Sequence, residues 1–217
     1  MAHALTYHEA RFPFDSRREL VWRTLCEAFF NRLVEPEFHV LELGAGYGHF
    51  INNIQCKNKT AVDQWPGMLQ YVRPEVTPHL GSVTNLDFLP DRSIDFAFAS
   101  NLFEHLTQAE FAATLAELRR TLKPSGSLNI LQPNYRLAYR EYFDDYTHCS
   151  VYSDLSLCDF VSTHGFQVTE SVPGFLPLSL KSSRSPVRPW LIKMYLASPW
   201  KPLARQMFVR ARIAPAA

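Results

Sequence analysis

Apolar and polar positions along this chain repeat with two periods, one helical and one extended. Leu20, Val21, Leu25, Phe29 and Leu33 recur at helical spacing and stop near Pro36, which predicts a helix over about 16–35. Ser16-Arg17-Arg18-Glu19, at its start, has the form of a capping box. His39 to Leu43 is a short β-prone run and reads as a first strand, after which Phe50, Ile51 and Ile54 return to helical spacing. Lys59 to Asp63 reads as a second strand, a third precedes Leu80-Gly81-Ser82-Val83, and a fourth follows the turn Leu89-Pro90-Asp91. Thr107-Gln108-Ala109-Glu110 is another capping box, and Phe111, Leu115, Leu118 and Leu122 lie on one face of the helix it starts. Lys123-Pro124-Ser125-Gly126 ends that helix, and Ser127 to Leu131 is the fifth strand. Ser153 to His164 reads as a helix stopped by Gly165, with strands at Phe166 to Glu170 and Gln206 to Ile213. Alternating strands and helices predict an α/β protein built on a mostly parallel sheet. A proline-rich insert, about 173–202, precedes the last strand and carries Trp190, Leu191, Met194 and Tyr195 on a short helix.

The turn after the first strand is the densest local signal. Three of the eight glycines are Gly44, Gly46 and Gly48, in the run Glu42-Leu43-Gly44-Ala45-Gly46-Tyr47-Gly48-His49. Glycine admits positive φ and has no Cβ to keep a ligand off the backbone. In an open α/β sheet a ligand sits where strands end and helices begin, so this turn is the expected floor of a site. A phosphate-binding loop needs Gly-Lys-Ser/Thr, which is absent, and a dinucleotide turn wants a small residue where His49 stands. Asp63 ends the second strand 19 residues past Gly44, where an acid can accept from both hydroxyls of a ribose.

Composition narrows the class. The chain has 217 residues, 47% of them apolar and 20% charged, which fits one globular domain spanning 1–217. Net charge is +1, with no pull toward nucleic acid, but it is unevenly spread: the last 47 residues carry +8 and the first 170 carry −7. Those late cations suit either a solvated surface, an anionic acceptor, or contact with an anionic membrane face. Cys26, Cys56, Cys149 and Cys158 show neither CxxC nor zinc-ligand spacing, so reduced thiols and a cytoplasmic location are expected. Met1 to Phe14 has no apolar core of a signal peptide, and no run is long enough to span a membrane.

The run E-x-G-x-G-x-G resembles motif I of the class I S-adenosylmethionine-dependent methyltransferases. Leu89-Pro90-Asp91-Arg92-Ser93-Ile94-Asp95 resembles that family's entry to the fourth strand, and Leu122-Lys123-Pro124-Ser125-Gly126 its turn before the fifth. The resemblance covers about 38–170. It implies a Rossmann-like, seven-stranded sheet with one antiparallel strand and helices on both faces, S-adenosylmethionine as cofactor, and methyl transfer to a small-molecule acceptor. It places Glu42, Gly44, Ala45, Gly46, Gly48, Asp63, Gln64, Ser82, Val83, Ser100 and Asn101 around the cofactor. Ser82 stands where many members have an aspartate for the adenine amino group, a weaker acceptor. "SNLFEHL", "LQPN" and "YFDDYTH" are similar to stretches of bacterial methyltransferases found with polysaccharide-assembly enzymes, which implies O-methylation of a sugar-containing or other hydroxylated compound.

An alcohol acceptor needs a base. The candidates are His148, Asp145, Glu104 and His105; His148 leads, because imidazole titrates near neutrality and an aromatic loop surrounds it, with Asp145 to orient it. Some quinone-biosynthesis relatives bind a divalent metal through E-x-x-E-H at this place. Here the first glutamate is replaced by Asn101, a weaker ligand for a hard cation, so no metal site is expected. The competing classes are that metal-assisted O-methyltransferase, a nicotinamide-dependent oxidoreductase, and a non-catalytic binding module on the same fold.

Overall fold

A computed structural model describes residues 13–177 and 187–215. Its helices are α1 (Ser16–Ala28), α2 (Gln108–Thr121), the single-turn α3 (Tyr135–Ala138), α4 (Asp154–Thr163) and α5 (Pro189–Ala197). Its strands are β1 (His39–Leu43), β2 (Asn58–Asp63), β3 (Val76–Leu80), β4 (Ile94–Ser100), β5 (Leu122–Pro133), β6 (Phe166–Pro177) and β7 (Ala204–Ile213). They form one sheet in the order β3-β2-β1-β4-β5-β7-β6. The pairs from β3 to β5 are parallel, and β7 runs antiparallel to both of its neighbours. From β1 the chain builds outward through β2 and β3, then crosses back to β4 and builds the other way. The loops leaving β1 and β4 therefore part, and a crevice opens between their carboxyl ends.

Alternate residues of each strand point to opposite faces. Leu41, Leu43, Ala97, Ala99, Leu128 and Ile130 join one buried cluster, with Phe111, Leu115 and Leu118 of α2 and Leu157 and Val161 of α4. Val40, Phe96, Phe98, Leu131 and Phe208 join the other, with Leu25 and Cys26 of α1, while Ile192, Tyr195 and Leu196 of α5 pack against it. Phe98 is the hub of this second face: its ring stacks on Phe50 at 3.9 Å and meets Phe30 edge-on at 5.1 Å and Trp22 at 5.9 Å.

Several local expectations need correction. Asp15, not Ser16, caps α1, its carboxylate accepting from the Arg17 amide at 2.9 Å. Glu19 is thereby released from a capping role and bonds His49 and Asn53 across the turn after β1. The first helix stops at Ala28, short of residue 35. Adjacent residues of one helix point about 100° apart; the break at Phe29 instead lets Phe29 reach Phe175 and Phe208 while Phe30 reaches Phe50 and Phe98. After Gly48 the chain makes consecutive turns, not a regular helix. Helical bonds form from Asn52 to Gly48 and from Ile54 to Phe50, but the Ile51 amide goes to the Glu42 carboxylate at 2.9 Å. The turn at Lys123 to Gly126 is a bulge inside β5, where the register jumps from Ile94↔Leu122 to Phe96↔Ser127. β6 runs on to Pro177, which shortens the expected insert; residues 178–186, with Lys181 and Arg184, lie outside the described residues.

Among the described residues no helix is long and apolar enough to cross a membrane. Phe98 is fully buried, so Phe98→Ala is expected to lower the free energy of unfolding by about 3–5 kcal/mol, read from a urea denaturation series.

Candidate active site

The turn after β1 is held from β2. Gly44 and Ala45 donate their amides to the Val62 carbonyl at 2.9 and 3.2 Å. Asp63, the last residue of β2, takes the Gly46 amide on Oδ2 at 2.7 Å and the Trp65 amide on Oδ1 at 2.8 Å. Gly44, Gly46 and Gly48 all have positive φ, at 66°, 51° and 65°. Their open sides differ. A Cβ on Gly44 would strike Leu102 at 2.8 Å, and one on Gly48 would press on Val72 and Asn52, whereas a Cβ on Gly46 meets nothing within 4 Å. At Gly46, itself buried, no described atom stands within 4 Å of an added Cβ, and the Asp63 carboxylate beside it retains lone pairs for outside donors.

A cleft of about 320 Å³ lies at this crevice. Gly44, Asp63, Gln64 and Val83 line it, all four expected at a cofactor. Gly81, Leu102, Leu106 and Thr147 also line it and were not expected there; Leu102 and Leu106 read as ordinary apolar positions, and Thr147 was legible only as part of "YFDDYTH". Other expected residues serve the frame. Glu42 is buried and holds the Ile51 amide; burial pushes its carboxyl well above the usual range, and the Asp63 charge adds to this. Ala45 is buried with its amide on Val62. The Ser82 hydroxyl bonds Thr84 at 2.8 Å. Asn101 sits at positive φ after β4, and its side-chain oxygen accepts from Gln206 Nε2 at 2.8 Å while its amide nitrogen reaches Ser100 Oγ at 3.3 Å.

The four candidate bases do converge. Glu104 and His105 lie on the 3-10 turn Phe103–His105 beyond β4, and the loop after β5 folds back over them. The amides of Cys149 and Ser150 donate to the Glu104 carbonyl at 2.9 and 3.1 Å, and Ser150 Oγ donates to the Leu106 carbonyl at 2.6 Å. That clamp places His148 4.7 Å, ring to ring, from His105 and also from Tyr142. The Thr147 hydroxyl donates to Asp145 Oδ1 at 2.7 Å and lies 2.9 Å from His105 Nδ1. Having spent its proton, it accepts from His105, which fixes the tautomer with the proton on Nδ1. Asp145 reaches His105 through Thr147, and it is His105 that lines the cleft. Glu104 is fully buried, and neither carboxyl oxygen has a hydrogen-bond partner among the described residues. Burial, with the Asp145 charge, pushes it up to about 8. Donor atoms of Glu104, His105 and His148 lie within 4.8 Å of one another.

Comparison with known proteins agrees with this layout. Residues 41–130, from β1 into β5, match the family model described as a methyltransferase domain. A stretch of 96 residues is 33% identical to the malonyl-acyl-carrier-protein O-methyltransferase of Serratia marcescens, covering 42% of this chain and 36% of that protein. The match thus spans little more than a third of that relative's length. A S-adenosylmethionine-dependent methyltransferase from Archaeoglobus fulgidus superposes over 95% of this chain and 97% of its own, with TM-score 0.67 and 20% identity. A chain from the Haloferax volcanii complex between the Trm112 methyltransferase activator and a methyltransferase superposes over 93% and 94%, with TM-score 0.68 and 16% identity. At such identities the structural likeness is one of fold. The fold is the one shared by these methyltransferases, a fold family that uses S-adenosylmethionine as methyl donor, and residues 41–130 match the model of their methyltransferase domain.

Glu42 supplies a pH test of the frame. The native state keeps a carboxyl proton that the unfolded chain gives up above about 4.5, the ordinary value, so native stability falls as pH rises from there toward the raised native value. Glu42→Gln keeps an oxygen for the Ile51 amide and removes the ionisation. Its Tm is expected to exceed that of the parent at pH 8, by about 2–4 °C per kcal/mol gained, with the gap closing toward pH 4 in a calorimetric series. A gap independent of pH would assign the effect to packing.

Proposed function

We propose that this protein transfers the methyl group of S-adenosylmethionine to a hydroxyl of a small, sugar-containing or otherwise hydroxylated acceptor. The observation that carries the reading is that Gly44, at the start of the glycine turn, and Asp63, which holds that turn through the Gly46 amide, line one cleft at the switch point of the sheet. The turn at Gly44 to Gly48 would hold the cofactor's amino acid and ribose, Asp63 the ribose hydroxyls, and Gln64 and Val83 the adenine end. Ser82, Ser100 and Asn101 would offer backbone groups, since the side chains of Ser82 and Asn101 are engaged within the protein. When bound, the cofactor supplies a methyl group already activated on a sulfonium. The protein's task is then to align the acceptor, exclude water and accept a proton. Leu102 and Leu106 give the cleft an apolar wall, and His105 and His148 stand beside it to take the hydroxyl proton.

Against a nicotinamide-dependent oxidoreductase stands His49, whose ring fills the small-residue position, 6% exposed and tied to Glu19 at 3.1 Å. The sugar-linked acceptor rests on the resemblance of "SNLFEHL", "LQPN" and "YFDDYTH" and on the cationic balance of the last 47 residues. The surface near α5 favours acceptor delivery at an anionic membrane face. Trp190, Leu191 and Met194 are exposed there, and Trp200 and Leu203 are 76% and 78% exposed nearby, with Arg188 among them, Lys193 paired with Glu27 of α1 at 3.2 Å, and no Asp or Glu in the chain after Glu170.

Titration calorimetry is expected to show binding of S-adenosylhomocysteine and not of NAD. Gly46→Val should weaken that binding at least 100-fold in a protein that still unfolds cooperatively, and Asp63→Ala at least tenfold. Normal binding by folded Gly46→Val would move the cofactor away from this turn. Co-flotation with phosphatidylglycerol vesicles, lost in phosphatidylcholine and in Trp190→Ala/Trp200→Ala, is expected of the membrane contact; equal flotation with both lipids would exclude it.

A further inference from the structure

We propose that Glu19 of α1 is a positioning residue for the glycine turn, a second anchor besides Asp63, and that through it the docking of α1 and ligand binding at the turn become one coupled equilibrium. Three donors from outside its own helix converge on this carboxylate. His49 Nδ1 lies 3.1 Å from Oε2, and Asn53 Nδ2 and Arg73 Nη2 donate to Oε1 at 2.9 and 3.4 Å. His49 and Asn53 belong to the segment that follows Gly48, and Arg73 to the stretch between β2 and β3. Partial burial opposes the charge, yet the bonds from Asn53 and His49 hold the Glu19 carboxyl below the usual carboxylate range. An ionised carboxylate only accepts, so His49 Nδ1 carries the ring proton. Burial keeps that imidazole below its ordinary value, against the pull of Glu19.

The far side of the network closes on Gly48. Arg73 donates its amide to Asn52 Oδ1 at 2.9 Å and its Nη1 to the Asn52 carbonyl at 3.0 Å, and Asn52 Nδ2 donates to the Tyr71 carbonyl at 2.9 Å. Asn52 and Val72 are the residues on which a Cβ at Gly48 would press. Phe14, just ahead of α1, stacks on Tyr71 at 5.3 Å and meets Tyr47 of the turn edge-on at 5.5 Å. Helix, glycine turn and the exit of β2 are thus joined through one acid.

An exposed ion pair contributes little, and the Arg73 contact alone would be of that kind. His49 makes the difference. Its side chain is buried, and without Glu19 its Nδ1 would be a buried donor that has lost its acceptor. Glu19 is not among the residues that line the cleft, so it acts on a ligand through the turn. Three positive-φ glycines give that turn little shape of its own. A ligand that needs one shape binds more weakly once part of the frame is gone, and by reciprocity the bound ligand tightens α1.

The anchor stands on these contacts; only the identity of the ligand rests on the transferase reading. The test joins titration calorimetry to amide hydrogen exchange on the full chain, with S-adenosylhomocysteine as probe. Glu19→Ala removes the acceptor and keeps a good helix former. It should weaken binding about fivefold or more, and Glu19→Gln, which retains one oxygen for Asn53 and Arg73, should weaken it less. Without ligand, amides of residues 46–53 should exchange faster in Glu19→Ala than in the parent. Saturating S-adenosylhomocysteine should slow exchange across 16–28 in the parent, and that protection should be lost in the variant. Parent-like affinity, or parent-like exchange at 46–53, in folded Glu19→Ala would overturn the anchor. Should that variant not fold, Glu19→Gln carries the same comparison. A parent that binds no S-adenosylhomocysteine would remove the transferase reading, and exchange at 46–53 would still decide for or against the anchor.

Discussion

The Asp63 carboxylate holds together the part of the molecule on which its chemistry depends. It ends β2, yet its two oxygens hold the amide of Gly46 in the turn after β1 and the amide of Trp65 in its own strand's exit. A turn with three positive-φ glycines has little intrinsic preference for one shape. Here it is pinned from the neighbouring strand by Val62 and Asp63 and from within by Glu42, which takes the Ile51 amide. The same carboxylate lines the cleft together with Gly44. Stability of the loop and room for a ligand are therefore consequences of one arrangement.

The price of that arrangement is buried acid. Glu42 is taken out of water with one backbone donor for compensation, and burial raises it well above the ordinary carboxylate range. Glu104 is buried with less still. Both lie at carboxyl ends of adjacent strands, β1 and β4, or just beyond, where the two-sided core gives way to loops. The core itself does not need them: aliphatic clusters on one face and the Phe30–Phe50–Phe98 rings on the other provide its packing. Acids kept where packing does not call for them are the usual mark of a functional end of a sheet.

The two carboxylates differ in what surrounds them. Glu42 takes a backbone amide, that of Ile51, and acts as a strut for the turn. Around Glu104 stand side chains that themselves titrate, gathered by a loop whose amides grip the Glu104 carbonyl. A loop that folds onto the first residues after β4 also closes one wall of the cleft, through Thr147. Acceptor recognition and proton handling are in this way built into the same segment.

Local chemistry determined a good deal of this before any contact was visible. Apolar runs located the strands β1, β2, β4, β5, β6 and β7 and the helices α1, α2 and α4, because each of these elements buries an apolar face. The glycine turn and Asp63 were legible because strand ends, glycines and an acid at fixed spacing are local features. What depended on distant neighbours was not legible. Asp15 displaced Ser16 as cap because Glu19 had partners 30 or more residues away, and α1 ended early where Phe29 and Phe30 both turn onto Phe208 of the sheet. The meeting of His105 with His148, the diversion of Asn101 to Gln206, and the meeting of Glu104 with His148 were decided by loop packing across more than forty residues. Spacing along a chain carries no record of such contacts, since they exist only once the sheet has set where its loops return.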